Sequence, residues 1–164
     1  MSFWPRPSTA DIGLRVYAPT YGRLLADAAL GMLDIVASPA GARVASSGIR
    51  YTSTWTIDRA PGSNDDGLLL VSWLDEVLYN LEVHGRWLVD AQFLITTGDE
   101  HRRLEAQVSW VDGQQIEREV EIKAVTTHEL AVVNLMAGEE MSSPWPDVPS
   151  MSGPGWAADV LFDI

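Results

Sequence analysis

The chain has 164 residues, 46% of them hydrophobic and 21% charged, a balance that suits one globular domain spanning 1–164 and argues against wholesale disorder. Eleven basic residues face 23 acidic ones for a net charge of −12, and one lysine with ten scattered arginines cannot form the cationic surface that a polyanion needs, so direct nucleic-acid binding is disfavoured. Cysteine is absent, no apolar run approaches the roughly 18 residues of a membrane span, and MSFWPRPSTADIG lacks the series of a signal peptide, so a cytoplasmic protein is expected.

After an irregular head with Pro5 and Pro7, residues 9–17 alternate, with Ile12, Leu14 and Val16 on one side and Asp11, Gly13 and Arg15 on the other, which predicts a strand. Thr20 is a fitting N-cap for a helix whose apolar positions are Leu24, Leu25, Ala28, Ala29, Met32, Leu33 and Val36, with Pro39 and Gly41 ending it. The β-branched and aromatic run 43–58 predicts one long or two short strands. APGSNDDG (60–67) reads as a loop that caps a second helix over Leu68–His84, closed by Gly85. Strands are predicted at 87–97, 103–111, 117–124 and 129–135, a Pro-, Gly- and Ser-rich flexible loop at 138–155, and a last strand to Ile164. This order predicts an α+β fold: a two-layer sandwich in which a mixed β-sheet carries two helices packed on one face.

Few residues offer chemistry. No nucleophile elbow, phosphate loop or dinucleotide fingerprint is present, and His84, His101 and His128 have no metal-ligand spacing. His84 suits the last turn of a helix, where its charge would meet the dipole, and His101 a solvated hairpin. Asp75 and Glu76 lie opposite most leucines of the second helix, as a solvated face or a partner-binding one. Lys123, the sole lysine, and His128 flank Thr126 and Thr127 in KAVTTHEL, which reads equally as an ordinary polar turn. If the terminal strands pair, Asp11, Asp163 and the carboxylate of Ile164 would supply three hard oxygen donors, the chemistry of Ca²⁺ or Mg²⁺, although no spacing enforces that grouping.

Four blocks taken in order resemble the archease family. TADIGLRVYAPTYGRLLADAALGMLDIV is similar to its opening HTADIG strand and following helix; LLVSWLDEVLYNLEVHG is similar to LLVDWLNELLYLF; EIKAVTTHEL is similar to the KAVTYH motif; and WAADVLFDI resembles the VVFDI ending. The resemblance implies an accessory protein of an RtcB-type RNA ligase, one that promotes the ligase's guanylylation and multiple turnover in tRNA splicing and RNA repair without joining RNA itself. It also implies a divalent-metal site at Asp11, Asp163 and Ile164, with Ca²⁺ the expected ion, and functional or partner-contacting roles for Lys123, His128 and Glu76. Ser8 stands where the family opens with histidine, Asp75 where it commonly shows asparagine, and the 138–155 loop is longer than expected. Two other classes remain open: a small metal-dependent enzyme using Asp11 and Asp163 with His128 as general base, and a chaperone-like binding module.

Overall fold

The computed structural model describes residues 2–59, 65–99 and 101–164. In chain order the elements are β1 (Phe3–Arg6), β2 (Ile12–Ala18), α1 (Tyr21–Val36), α2 (Pro39–Ser47), β3 (Tyr51–Arg59), α3 (Asp66–His84), β4 (Arg86–Thr97), β5 (Arg102–Asp112), β6 (Ala124–Leu135), β7 (Glu140–Met141), β8 (Met151–Ser152) and β9 (Gly155–Asp163). The α+β class holds, and the strands divide between two larger sheets in which every pair is antiparallel. One has the order β1-β2-β9-β6 and the other β3-β5-β4, while β7 and β8 form a small ribbon. Helices α1 and α3 each pack against strands of both larger sheets.

The two long helices form for local reasons. The Thr20 hydroxyl accepts a hydrogen bond from the Arg23 amide and starts α1. The Asp65 carboxylate accepts from the amides of Gly67 and Leu68 and starts α3, and Gly85, with φ of 64°, ends it in the left-handed conformation that glycine takes without strain. Part of the expected 60–67 loop, residues 60–64, lies outside the described residues. Apolar side chains from both helices interlock. Trp73 is fully buried, donates its indole N–H to the Leu25 carbonyl at 2.9 Å and meets Phe93 edge-on. Asp27, buried on α1, is neutralised by Arg23 one turn earlier, a contact that holds the guanidinium charged and raises its pKa.

Two predicted segments fold differently. The 43–58 run is not continuous strand: its first part belongs to α2, and only β3 is extended. The reason is capping. Ser38 accepts from the Gly41 amide, Pro39 occupies the first turn where no N–H is needed, and Ala40, Ala42 and Ala45 favour the helix that follows. Pro39 and Gly41 therefore begin a third helix rather than only ending the first. The 117–124 segment is also not a strand before Ala124. Its alternation is real, since Ile122 is buried, but its hydrogen bonds go to the end of α1: Glu119 N–H donates to the Val36 carbonyl at 2.8 Å, and Ser38 N–H donates to the Glu117 carbonyl at 3.0 Å. The C-terminal carbonyls that a helix leaves open are thereby partly satisfied.

The core face of the first sheet carries Leu14, Val16 and Ala18 from β2 and Ala158, Val160 and Phe162 from β9, all buried against the helices. Its opposite face carries Gly13, Arg15 and Tyr17 beside Leu161, Asp159 and Ala157. The 138–155 segment, which includes the β7–β8 ribbon, lies over this second face: Met151 packs with Leu135 and Ala157, and the Tyr17 hydroxyl donates to the Pro154 carbonyl. Strand β9 is consequently covered on both sides and reads as a nearly unbroken apolar run.

Gly41 sits where the 117–123 segment crosses α2, and a Cβ there would collide with the Glu117 carbonyl. Gly41→Ala is expected to lower stability by about 1–3 kcal/mol despite alanine's better helix propensity. Thermal unfolding followed by circular dichroism tests this, and an unchanged or raised midpoint would disprove the close approach.

Candidate functional site

The order of the first sheet places β9 between β2 and β6, so its C-terminal end has a neighbour on each side. The β2–β9 register runs to Ile12 opposite Phe162, so Asp11 precedes β2 at the same sheet end that Asp163 closes on β9. On the other side Ala124 pairs with Asp163, and the Lys123 amide donates to the Asp163 carbonyl at 2.8 Å. Asp11, Asp163, Ile164 and Lys123 thus gather at one end of one sheet. Asp11 is half-buried, and the other three are exposed. Every candidate donor there is a hard oxygen, which suits Ca²⁺ or Mg²⁺ and not a soft metal. Among the described residues no three His, Asp or Glu side chains group closely enough to hold a metal ion. A cation at this end would need further oxygen donors beside the two aspartates.

KAVTTHEL does not join two strands, as the sequence suggested: Lys123 immediately precedes β6 and the rest lies within it. Thr126 pairs with Leu161 and Ala131 with Asp159, so the four residues from Thr127 to Leu130 bulge out against the single residue Val160. Glu129 takes φ of 53°, a left-handed backbone uncommon for a residue with a side chain. His128 is three-quarters exposed, its side chain at 76%, and its Nε2 lies 3.9 Å from Oε1 of Glu129. Lys123, just before the edge strand β6, and His128, in its bulge, thus stand five positions apart in sequence.

Behind this strand lies an ionic cluster that spacing alone did not indicate. Arg15 forks onto Asp159 with hydrogen bonds of 2.9 and 2.7 Å, and all but a few per cent of both side chains is buried. Arg6, equally buried, donates to Glu129 Oε2 at 2.5 Å and lies 3.9 Å from Asp159. Its stem crosses Gly13, where a Cβ would collide with it. Trp145 from the covering segment lies over both guanidinium groups, 4.8 Å from Arg6 and 5.2 Å from Arg15. The available sequence signals were charged residues at inward positions of strands and a tryptophan inside a Pro-rich loop.

Residues 3–164 match the model of the archease protein family (MTH1598/TM1083). The chain belongs to the archease family. It is 28% identical over 142 residues to protein archease of Pyrococcus furiosus and 27% identical over 143 residues to that of Thermococcus gammatolerans, in each case covering 85% of this chain and 94% of the relative. Its fold is similar to the solution structure of protein 1598 of Methanobacterium thermoautotrophicum, with a TM-score of 0.59, 20% identity and 99% of each chain covered.

The archease-like second helix presents Glu76 half-buried, its carboxylate accepting from Asn80 at 2.9 Å one turn along α3. Among the described residues no hydrogen bond or ion pair joins Glu76 to Lys123, His128 or the strand ends. Exposed Asp75 has its carboxyl raised above the usual aspartate range by partial desolvation. His84 lies in the last turn of α3, edge-on to Tyr79. No helix of the described residues is long and apolar enough to cross a membrane. A cavity of about 420 Å³ is lined by Thr52, Thr54, Gln92, Gln107 and Ser109 among others on the second sheet.

The two β9 aspartates should separate cleanly in stability. Asp159→Ala leaves two buried guanidiniums without their shared carboxylate and is expected to cost about 3–5 kcal/mol. Exposed Asp163→Ala should stay within about 0.5 kcal/mol. Urea denaturation of both variants measures this, and equal losses would contradict the division between a structural and an available carboxylate.

Proposed function

We propose that this protein activates an RtcB-type RNA ligase, promoting its guanylylation and multiple turnover in tRNA splicing and RNA repair, and that it acts by protein contact rather than as an enzyme. Membership of the archease family and the net charge of −12 are consistent with an accessory role that does not involve gripping RNA. The observation that carries the reading is the convergence of three family-like blocks at one end of the first sheet: Asp11 before β2, Lys123 before β6, and Asp163 at the close of β9.

The roles divide by chemistry. Lys123 offers an exposed ammonium and His128 an exposed imidazole that can donate, accept or carry charge, both suited to an acidic or phosphate group at the partner's active site. Asp11, Asp163 and the carboxylate of Ile164 hold a divalent cation, Ca²⁺ the expected one. Glu76 is a further partner contact on α3. Supplied in less than molar proportion, the protein raises ligase turnover on excess RNA and joins no RNA alone; unchanged ligation over a tenfold range of added protein would refute the reading. Lys123→Ala and His128→Ala should each lower this activation while shifting stability by no more than about 0.5 kcal/mol, because both side chains are exposed.

The metal assignment makes a separate demand. Asp11→Ala, Asp163→Ala and a C-terminal extension each remove or alter one anionic donor, and each should weaken Ca²⁺ binding by at least about tenfold. Calorimetric titration decides this, and equal affinity across the native protein and all three variants would remove the site.

A further inference from the structure

We propose that Trp145 and Arg6 are positioning residues for His128, holding the β6 bulge in the conformation that presents the imidazole; this rests on the activator reading and extends it. The bulge is a place where backbone pairing cannot do that work. Thr127–Leu130 stand against one residue of β9, so the ladder that fixes the rest of β6 is interrupted where His128 projects. Leu130 anchors the far end of the bulge against the core near Gly67, and the part that carries His128 is tied down by the Glu129 side chain. One carboxylate oxygen accepts from Arg6 at 2.5 Å, and the other faces His128 Nε2 at 3.9 Å. Arg6 is in turn fixed from three sides: its stem crosses Gly13, Asp159 lies 3.9 Å away, and the Trp145 ring covers the guanidinium at 4.8 Å.

Trp145 is held over that spot by its own segment. Arg15 donates to the Ser142 carbonyl at 2.9 Å, and the Ser143 hydroxyl accepts from the Trp145 amide at 3.2 Å. Covering the cation with an aromatic face excludes water from the Arg6 side of the pair, which strengthens its attraction to Glu129. The path therefore runs from the 138–155 segment through Trp145, Arg6 and Glu129 to His128, joining three regions remote in sequence. It gives the long segment a role at the functional edge without placing it in contact with the partner.

The test combines two readouts on full-length ¹⁵N-labelled protein: backbone order parameters of Thr127–Leu130 by NMR relaxation, and multiple-turnover ligation. Three variants suffice. Trp145→Ala removes the cover, Trp145→Phe keeps an aromatic face, and Glu129→Asn tolerates the left-handed backbone but is too short to reach Arg6. In the native protein the bulge should show order parameters near 0.85, as rigid backbone does, falling toward about 0.6 in Trp145→Ala and Glu129→Asn. Activation should fall about threefold or more in those two, for Trp145→Ala the equilibrium weight of a cation–π contact, and stay within about twofold in Trp145→Phe. An already mobile native bulge, or one that stays ordered in Trp145→Ala and Glu129→Asn, overturns the proposal; in the second case a loss of activation would make Trp145 or Glu129 a direct partner contact. Loss of order with activation intact also overturns it. A native protein that fails to activate the ligase refutes the activator reading alone, while the order parameters still decide whether Trp145 and Arg6 hold the bulge.

Discussion

The antiparallel pairing of β2 with β9 is the constraint from which the rest of the molecule follows. Seven residue pairs, from Ile12–Phe162 to Ala18–Trp156, lock the first long strand to the last. Because side chains alternate across a sheet, one register decides two faces at once. Leu14, Val16, Val160 and Phe162 turn toward the helices, while Arg15 and Asp159 turn toward the covering segment. The same register brings the start of β2, which Asp11 precedes, beside the close of β9 at Asp163. A slip of one residue would send the apolar set outward, bury the wrong charges and separate the two aspartates together.

The Arg15–Asp159 pair shows how that register is protected. Burying two charges costs several kcal/mol in desolvation, which only good geometry recovers, so the pair need add little net stability. Its forked hydrogen bonds nevertheless accept one alignment and penalise others. Trp145 and the Ser142 carbonyl complete the surroundings of Arg15, so the segment 138–155 contributes to an ionic cluster as well as to the small apolar cluster around Met151.

Much of this was legible in the residues, and the exceptions have physical causes. Helix α1 announced itself by Thr20 and its apolar stripe, α3 by its leucines and Gly85, and the α+β class by the order of elements. Alternation and strand pairing only permitted Asp11 and Asp163 to be neighbours, and it was the resemblance to the family that named them together. Helix α2 was obscured because Pro39 read as the stop of α1 and the β-branched residues beyond Tyr51 dominated the 43–58 run, although Ser38 and Pro39 also signal a helix start. The 117–123 stretch misled for another reason: its alternation marks burial of Ile122, whereas its amides bond to the end of a helix. The Arg15–Asp159 and Arg6–Glu129 partners were out of reach, since 144 and 123 residues separate them and no periodicity links such distant positions.

The central place of β9 also has a consequence for how the chain acquires its shape. A strand flanked by β2 on one side and β6 on the other cannot be added at the margin of a finished sheet; the sheet closes only when β9 enters. The β4–β5 hairpin and the capped helices depend on nearby residues and can take form while that strand is still absent, whereas β2 must wait with its pairing edge open. Until the gap is filled, β2 and β6 present unpaired backbone of the kind that recruits foreign strands. The interval before β9 arrives is therefore when this protein most needs shielding from its neighbours.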